Sequence, residues 1–213
     1  MIKRKKNINI TAVILTYNEE LHIGRCIKAL KGFVKEIIVI DSNSNDNTIK
    51  ICKQNKIRIY NNKFINQAKQ MNWALKNVPI KTKWIFRIDA DEIVENFFFN
   101  KVGYLIEYKK NISGILIVRK IKFLNKIINY GLTSPHKTLR IWRNGYCKYQ
   151  NLNVDEQAEV KGKIYLSNAI IVDHNLKSFY WWLNKHNDYA WIKEHQRRVR
   201  MGLRGSGRTP HLG

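Results

Sequence analysis

Behind a basic lead-in, residues 8–15 form an apolar run rich in β-branched side chains, which predicts a strand. Polar Thr16-Tyr17-Asn18-Glu19-Glu20 follows, and then Leu21, Ile23, Ile27 and Leu30 recur at helical spacing. The pattern repeats. Glu36-Ile37-Ile38-Val39-Ile40 predicts a second strand ending in Asp41, residues 42–48 a polar loop, and the stretch to about Gln54 a helix that Asp46 or Asn47 can cap. Arg58-Ile59-Tyr60 reads as a short third strand, residues 66–76 as a helix, and Trp84-Ile85-Phe86-Arg87-Ile88 as a fourth strand. Strands alternating with helices imply right-handed crossovers, so the expected class is α/β, with a mainly parallel central sheet flanked by helices. In open sheets of this kind ligands bind beyond the carboxyl ends of the strands, where Thr16, Asp41, Asp89 and Asp91 all fall.

The fourth strand carries the most pointed chemistry. It runs into Asp89-Ala90-Asp91-Glu92, and side chains at i and i+2 of an extended chain share a face, so Asp89 and Asp91 can present their oxygens together. Mg2+ and Mn2+ favour one or two carboxylates plus substrate phosphates, so the pair predicts a metal-bound diphosphate and not an all-protein cage. Taken alone, an acidic strand-to-loop turn has a plainer reading, because Asp is common there. Arg87 could serve as a cation near that diphosphate, but it has the same parity as the two aspartates and could instead brace them.

The surrounding motifs are more specific. Val13-Ile14-Leu15-Thr16-Tyr17-Asn18-Glu19-Glu20, Asp41-Ser42-Asn43-Ser44-Asn45-Asp46-Asn47-Thr48, Gln67-Ala68-Lys69-Gln70-Met71-Asn72-Trp73-Ala74-Leu75 and Asp89-Ala90-Asp91-Glu92, in this order, resemble family 2 glycosyltransferases. The resemblance extends over about residues 8–195. It implies the GT-A fold, a Rossmann-like sheet with a C-terminal helical segment, together with a nucleotide-sugar donor and inversion at the anomeric carbon. UDP is the nucleotide it favours. Within the family, Asn153-Val154-Asp155-Glu156-Gln157 and Lys185-His186-Asn187-Asp188-Tyr189-Ala190 are similar to small bacterial enzymes that decorate lipopolysaccharide cores, capsules and related surface glycans.

The same resemblance assigns roles. Thr16, Tyr17 and Glu19 match the first nucleotide-binding loop, and Asp41 matches a nucleoside contact, although it can also close its own loop through an Asx turn. Asp89 is expected near the ribose or the metal, and Asp91 as the firmer metal ligand. Lys69 fits a cation near the donor diphosphate, against the plainer reading of a solvated helical Lys. Inversion by direct displacement requires a base for the acceptor hydroxyl. The resembling enzymes place a carboxylate about sixty to seventy residues after Asp-x-Asp, where Glu156 stands with Asp155 beside it; many relatives carry His at the Asp155 position. Glu159 is the weaker alternative. His136 and Arg140, in the alternating run His136-Lys137-Thr138-Leu139-Arg140-Ile141-Trp142-Arg143, are candidates for acceptor hydroxyls or a phosphate, with an ordinary half-exposed strand as the competing reading. His174, after the apolar residues 169–172, would complete the metal shell unless it is simply a satisfied polar residue.

Composition bounds the rest. A chain of 213 residues, 44% hydrophobic, can bury one substantial core, expected over residues 1–201 with a soft division near residue 95 between donor and acceptor halves. There is no uninterrupted apolar run of about twenty residues and no secretory-type start, so the expected location is cytoplasmic, peripheral to the inner face of the membrane. Cys26, Cys52 and Cys147 lack zinc spacing and read as reduced thiols. The net charge of +23 calls for an anionic partner. No nucleic-acid module is visible, whereas residues 176–186 join Phe179, Tyr180, Trp181 and Trp182 to Lys177 and Lys185, with Lys193, Arg197, Arg198 and Arg200 beyond, as an anionic membrane surface requires. The competing reading packs Trp181 and Trp182 on the domain. Residues 202–213 change composition abruptly and read as a flexible tail, an appended scar or an altered end. Two other classes compete. A nucleotidyltransferase would show a Gly-rich phosphate loop near its first strand, and a noncatalytic basic nucleotide- or nucleic-acid-binding protein would have no need of Asp89, Asp91 and Glu156 together.

Overall fold

The computed structural model describes residues 8–131, 134–150 and 157–201. Strand β1 (Ile8–Thr16) is apolar on both faces because it lies deep in the sheet, pairing in parallel with β2 (Val34–Asp41) on one side and β4 (Trp84–Asp89) on the other. Its alternate side chains feed two cores. Ile10, Ala12 and Ile14 join the core beneath helices α1 (Ile23–Leu30), α2 (Thr48–Gln54) and α4 (Phe98–Tyr108), while Val13 joins the one beneath α3 (Gln67–Asn77). Helix α1 shows why the pattern works: Ile23, Cys26, Ile27 and Leu30 fall on one stripe and are wholly buried. Each such Ile or Leu contributes about 1.5–3 kcal/mol on leaving water. Asn66 caps α3 by accepting the Lys69 N–H (2.8 Å), and Asp46 Oδ1 accepts the Thr48 N–H at the start of α2 (2.9 Å).

The first four strands, with β3 (Arg58–Asn61) outermost, form the expected parallel sheet. Beyond β4 the sheet becomes mixed. Strand β6 (Ile112–Phe123) turns back through β7 (Lys126–Ile128), and β8 (His136–Arg143) returns antiparallel between β4 and β6. Strand β11 (Lys163–Asp173) is parallel to β6, and short β5 (Glu92–Val94) pairs antiparallel with the last residues of β11. Both halves therefore share one nine-stranded sheet, continuous across residue 95. A separate ribbon of β9 (Cys147–Tyr149) and β10 (Ala158–Val160) lies on the α3 side. Cys26 and Cys52 are buried, and all three cysteines are free.

Because β6 and β11 run in the direction of β1, β2 and β4, the ends at Thr16, Asp41, Asp89, Phe123 and Asp173 share one edge of the sheet. Helix α5 (Phe179–Arg200) follows from that edge. Its Trp182 packs on Phe123 (ring centroids 4.9 Å apart) and Phe179 (5.9 Å), and Trp181 lies between Lys177 and Lys185 (4.5 and 4.9 Å from its ring). Among the described residues no helix is long and apolar enough to cross a membrane.

Candidate active site

At this edge the loops after β1 and β2 are knitted together. Asn18 and Asn43 take left-handed backbone (φ 52° and 63°), a conformation that Asn tolerates. The N–H groups of Asn18, Glu19 and Glu20 donate to Ser44 Oγ (2.9 Å), Thr48 Oγ1 (2.7 Å) and Asp46 Oδ2 (3.0 Å). Those of Asn45 and Asn47 donate back to Asn18 Oδ1 (2.9 Å) and Glu20 Oε2 (3.0 Å). Beneath this surface Asp41 is 1% exposed. It accepts Thr16 Oγ1–H (2.9 Å), Ser44 Oγ–H (2.6 Å) and the Ser44 N–H (2.8 Å), so it closes its own loop as a local carboxylate turn. Thr16 is buried beside it, while Tyr17 stands 41% exposed.

Across β1, the end of β4 is held by charge. The chain turns at Ala90-Asp91, and β5 brings the fully buried Glu92 back under Asp89, whose N–H donates to Glu92 Oε2 (2.9 Å). Arg140 Nη2 bridges Glu92 Oε1 (2.7 Å) and Asp89 Oδ2 (3.0 Å). Arg119 binds Glu92 Oε1 (3.1 Å) and also Asp173, and Arg87 reaches Asp89 Oδ1 (3.5 Å) and Gln67 while lying over the Tyr149 ring (5.3 Å). Burial disfavours ionisation of Asp89, but Arg140 and Arg87 outweigh it and hold the carboxyl well below the usual range. For Glu92 the balance reverses: burial pushes it up to about 7 against the pull of Arg140, with Asp89 adding repulsion. Burial and the neighbouring Asp91 raise Asp173 to about 6.

A third set of contacts fixes the Asp91 turn. Arg25 on α1 donates to Asp91 O (3.2 Å), to His174 O and to His174 Nδ1 (3.1 Å), and the His174 N–H donates to Asp91 O (3.0 Å). Asn175 Nδ2 donates to Asp91 Oδ2 (3.0 Å). Buried His22 Nε2 accepts the Leu176 N–H (2.8 Å), which leaves the ring proton on Nδ1 to donate to Glu19 (2.5 Å); Lys177 Nζ binds the other Glu19 oxygen (3.1 Å). The loop after β1 and the segment after β11 are thereby tied together over the turn.

Of the sequence-predicted residues, Thr16, Tyr17, Glu19, Asp41, Asp89, Asp91 and His174 gather at this edge, in different states. Asp89 ends β4 and Asp91 lies in the turn that follows, so the extended parity expected to align them does not continue through Asp91. Asp91 Oδ1 accepts no hydrogen bond among the described residues, and Asp89 is 28% exposed at its side chain. No group of three or more His, Cys, Asp or Glu side chains gathers to hold a metal among the described residues. Two hard oxygen donors of this kind suit Mg2+ or Mn2+ with phosphates completing the shell. His174 lies beside Asp91, but its Nδ1 lone pair faces Arg25, so the neutral ring carries its proton on Nε2 and offers no lone pair to a cation in this arrangement. Partial burial, with Lys122 and Arg25, lowers its pKa. Arg140 is the buried brace of Asp89 and Glu92, with Nε and Nη1 lacking hydrogen bonds among the described residues. His136 pairs in register with Arg119, and Lys69 is exposed on the first turn of α3. Glu159 is paired with Lys148 (3.1 Å) and Gln150 (2.6 Å), and Asp155 and Glu156 lie outside the described residues.

His22, Arg25, Arg119, Asp173 and Asn175 escape a reading of the sequence, and Glu92, though it closes the Asp89-Ala90-Asp91-Glu92 motif, receives no role there. Asp173 had a usable signal, since it ends an apolar strand as Asp41 and Asp89 do, and Glu92 had its place in the motif.

The family model for glycosyl transferase family 2 matches residues 11–157. An uncharacterized glycosyltransferase of Rickettsia typhi is 25% identical over 196 residues, covering 85% of this chain and 65% of its own length. The lipopolysaccharide core biosynthesis glycosyltransferase LpsC of Rhizobium meliloti is 28% identical, covering 66% of this chain and 53% of its own. The chain thus spans less than two thirds of these relatives. Among solved structures, residues 1–349 of S. aureus TarS superpose with a TM-score of 0.54 at 21% identity, over 78% of this chain and 60% of that one. The likeness is one of fold, and the architecture is the GT-A arrangement expected.

Proposed function

For this chain, which belongs to glycosyl transferase family 2, we propose inverting transfer of a sugar from a nucleotide-sugar donor, UDP favoured, to a hydroxyl of a surface-glycan or lipid-linked acceptor. The observation that carries the reading is the convergence, at one sheet edge, of the knitted loops after β1 and β2 with the Asp89–Asp91 turn and its arginines. The loops frame the nucleoside, with Tyr17 exposed for its base and Thr16, Glu19 and Asp41 holding the frame rigid. Asp91, with Asp89, holds the divalent cation, which when bound would offset the charge of the departing diphosphate. His174 joins that shell only once Arg25 releases its ring. Arg87 and Arg140 keep Asp89 ionised, and Lys69 faces the diphosphate from α3. Glu156, assisted by Asp155, takes the acceptor hydroxyl proton as that oxygen attacks C1 and the bond to the diphosphate breaks, its electron pair leaving with the nucleotide. His136 binds acceptor hydroxyls or phosphate. The surface-glycan acceptor is supported by the likeness to LpsC.

Calorimetric titration with UDP, GDP and CDP, each with and without Mn2+, tests the donor site. Binding of one nucleotide only when metal is present is expected; binding of none would overturn the reading. Glu156→Gln should keep nucleotide affinity and lose transfer, and normal transfer by that variant would remove Glu156 from its role.

A further inference from the structure

The β6–β7 hairpin turns through Leu124 and Asn125 with φ of 46° and 63°. Two-residue turns with both central φ positive favour Asn-Gly or Asp-Gly, and a branched apolar residue there is disfavoured by its own Cβ. Leu124 nevertheless occupies the tip and is 72% exposed, and Tyr130 just beyond the hairpin is 90% exposed. Ile127 and Ile128 are also open to solvent. Phe123 at the hairpin's base packs on Phe179 (6.0 Å) and Trp182 (4.9 Å) of α5, which joins this surface to exposed Phe179 and Tyr180. An apolar patch drawn from two separate elements is more than the scattered exposure of an ordinary surface.

Its electrostatics name the partner. Residues 118–130 and 174–187 contain Arg119, Lys120, Lys122, Lys126, Lys177 and Lys185 and no Asp or Glu, within a chain of net charge +23. Arg119 and Lys177 are spent on Asp173, Glu92 and Glu19, which leaves Lys122 and exposed Lys126 on the hairpin itself. Aliphatic and aromatic side chains ringed by lysine suit an anionic bilayer, whose boundary takes up the apolar groups while its headgroups attract the cations. The hairpin grows from the same sheet edge as Asp89 and Asp173.

We propose that the β6–β7 hairpin and the first turns of α5 form a docking surface for an anionic lipid bilayer, which sets the candidate active site against the membrane plane. The orientation rests on the proposed function; the docking does not. Co-sedimentation of the full chain, without donor or metal, with vesicles of phosphatidylcholine alone and of phosphatidylcholine mixed equally with phosphatidylglycerol tests it. Association with the phosphatidylglycerol vesicles is expected, weakened about 10-fold or more in Leu124→Asn/Tyr130→Ser and again in Lys122→Gln/Lys126→Gln. Asn suits the left-handed tip, so the first variant should fold as the parent does, which circular dichroism checks. The proposal is overturned if the parent binds neither vesicle, or if Leu124→Asn/Tyr130→Ser binds as the parent does. It is also overturned if that variant abolishes self-association in sedimentation velocity while vesicle binding is unaffected, since the patch would then join two copies of the chain. Because nucleotide binding is not read, failure here leaves the donor-site reading to its own titration.

Discussion

Asp41 and Asp89 end the two strands that flank β1, yet they are stabilised by opposite means. Asp41 sits among two hydroxyls and one amide, all from its own loop or the adjacent strand. Asp89 is held by arginines, one of which, Arg140, comes from 51 residues away. Neutral donors satisfy a carboxylate without adding charge, and the outcome is a rigid loop. Arginines that also serve Glu92 and Asp173 build a charged network in which each group's ionisation depends on the others. The Asp41 loop is a fixed frame, whereas the Asp89 end is an electrostatic balance that the proposed diphosphate and cation would reset.

This contrast can be broken by substitution, beginning where the expected effect is largest. Arg140→Met should lower the unfolding free energy by about 3–5 kcal/mol, because the fully buried Glu92 loses its nearest arginine; urea titration measures it. Unchanged stability would mean the network is ornamental. Asp91→Ala should leave folding intact and weaken metal-dependent nucleotide binding by about 100-fold, or about 2.7 kcal/mol, read by calorimetry. Equal affinity in parent and variant would place the metal elsewhere.

The pH course sharpens the comparison further. Asp89 is depressed, so its contribution is present at neutral pH and lost on acidification through its folded pKa. Glu92 and Asp173 are raised to about 7 and about 6, so the folded chain keeps protons that the unfolded chain has released, and stability falls as pH rises through that window. Urea unfolding should weaken by roughly 1–3 kcal/mol between about pH 5 and pH 8, and Glu92→Gln should flatten that slope. A slope identical in the variant would remove Glu92 from the balance. The smallest effect belongs to the Asp41 side: Thr16→Val should cost about 1 kcal/mol, since Ser44 still supplies Asp41 with two bonds. A loss as large as that of Arg140→Met would erase the distinction between the two carboxylates.

What could be read in advance follows the same division. The strands and helices through β4 match the hydrophobic pattern closely, because each is decided by residues within a few positions of one another. The pairing of Arg87 with Asp89 follows from strand parity alone. Return of β8 between β4 and β6 was hidden, since strand periodicity carries no partner or direction. His174 is instructive: it stands beside Asp91, but only the structure shows Arg25, 149 residues away, taking its ring nitrogen.

The sequence by itself determined the alternation of strand and helix, the strand-end aspartates, the family and the basic character of the chain, because these are written in local order and composition. The tertiary structure alone decided which cation meets which carboxylate, that Glu92 is buried beneath Asp89, and that a leucine-tipped hairpin joins α5 in one exposed face. Those are contacts between residues far apart in the chain, and their energies depend on burial and distance, neither of which exists until the sheet closes.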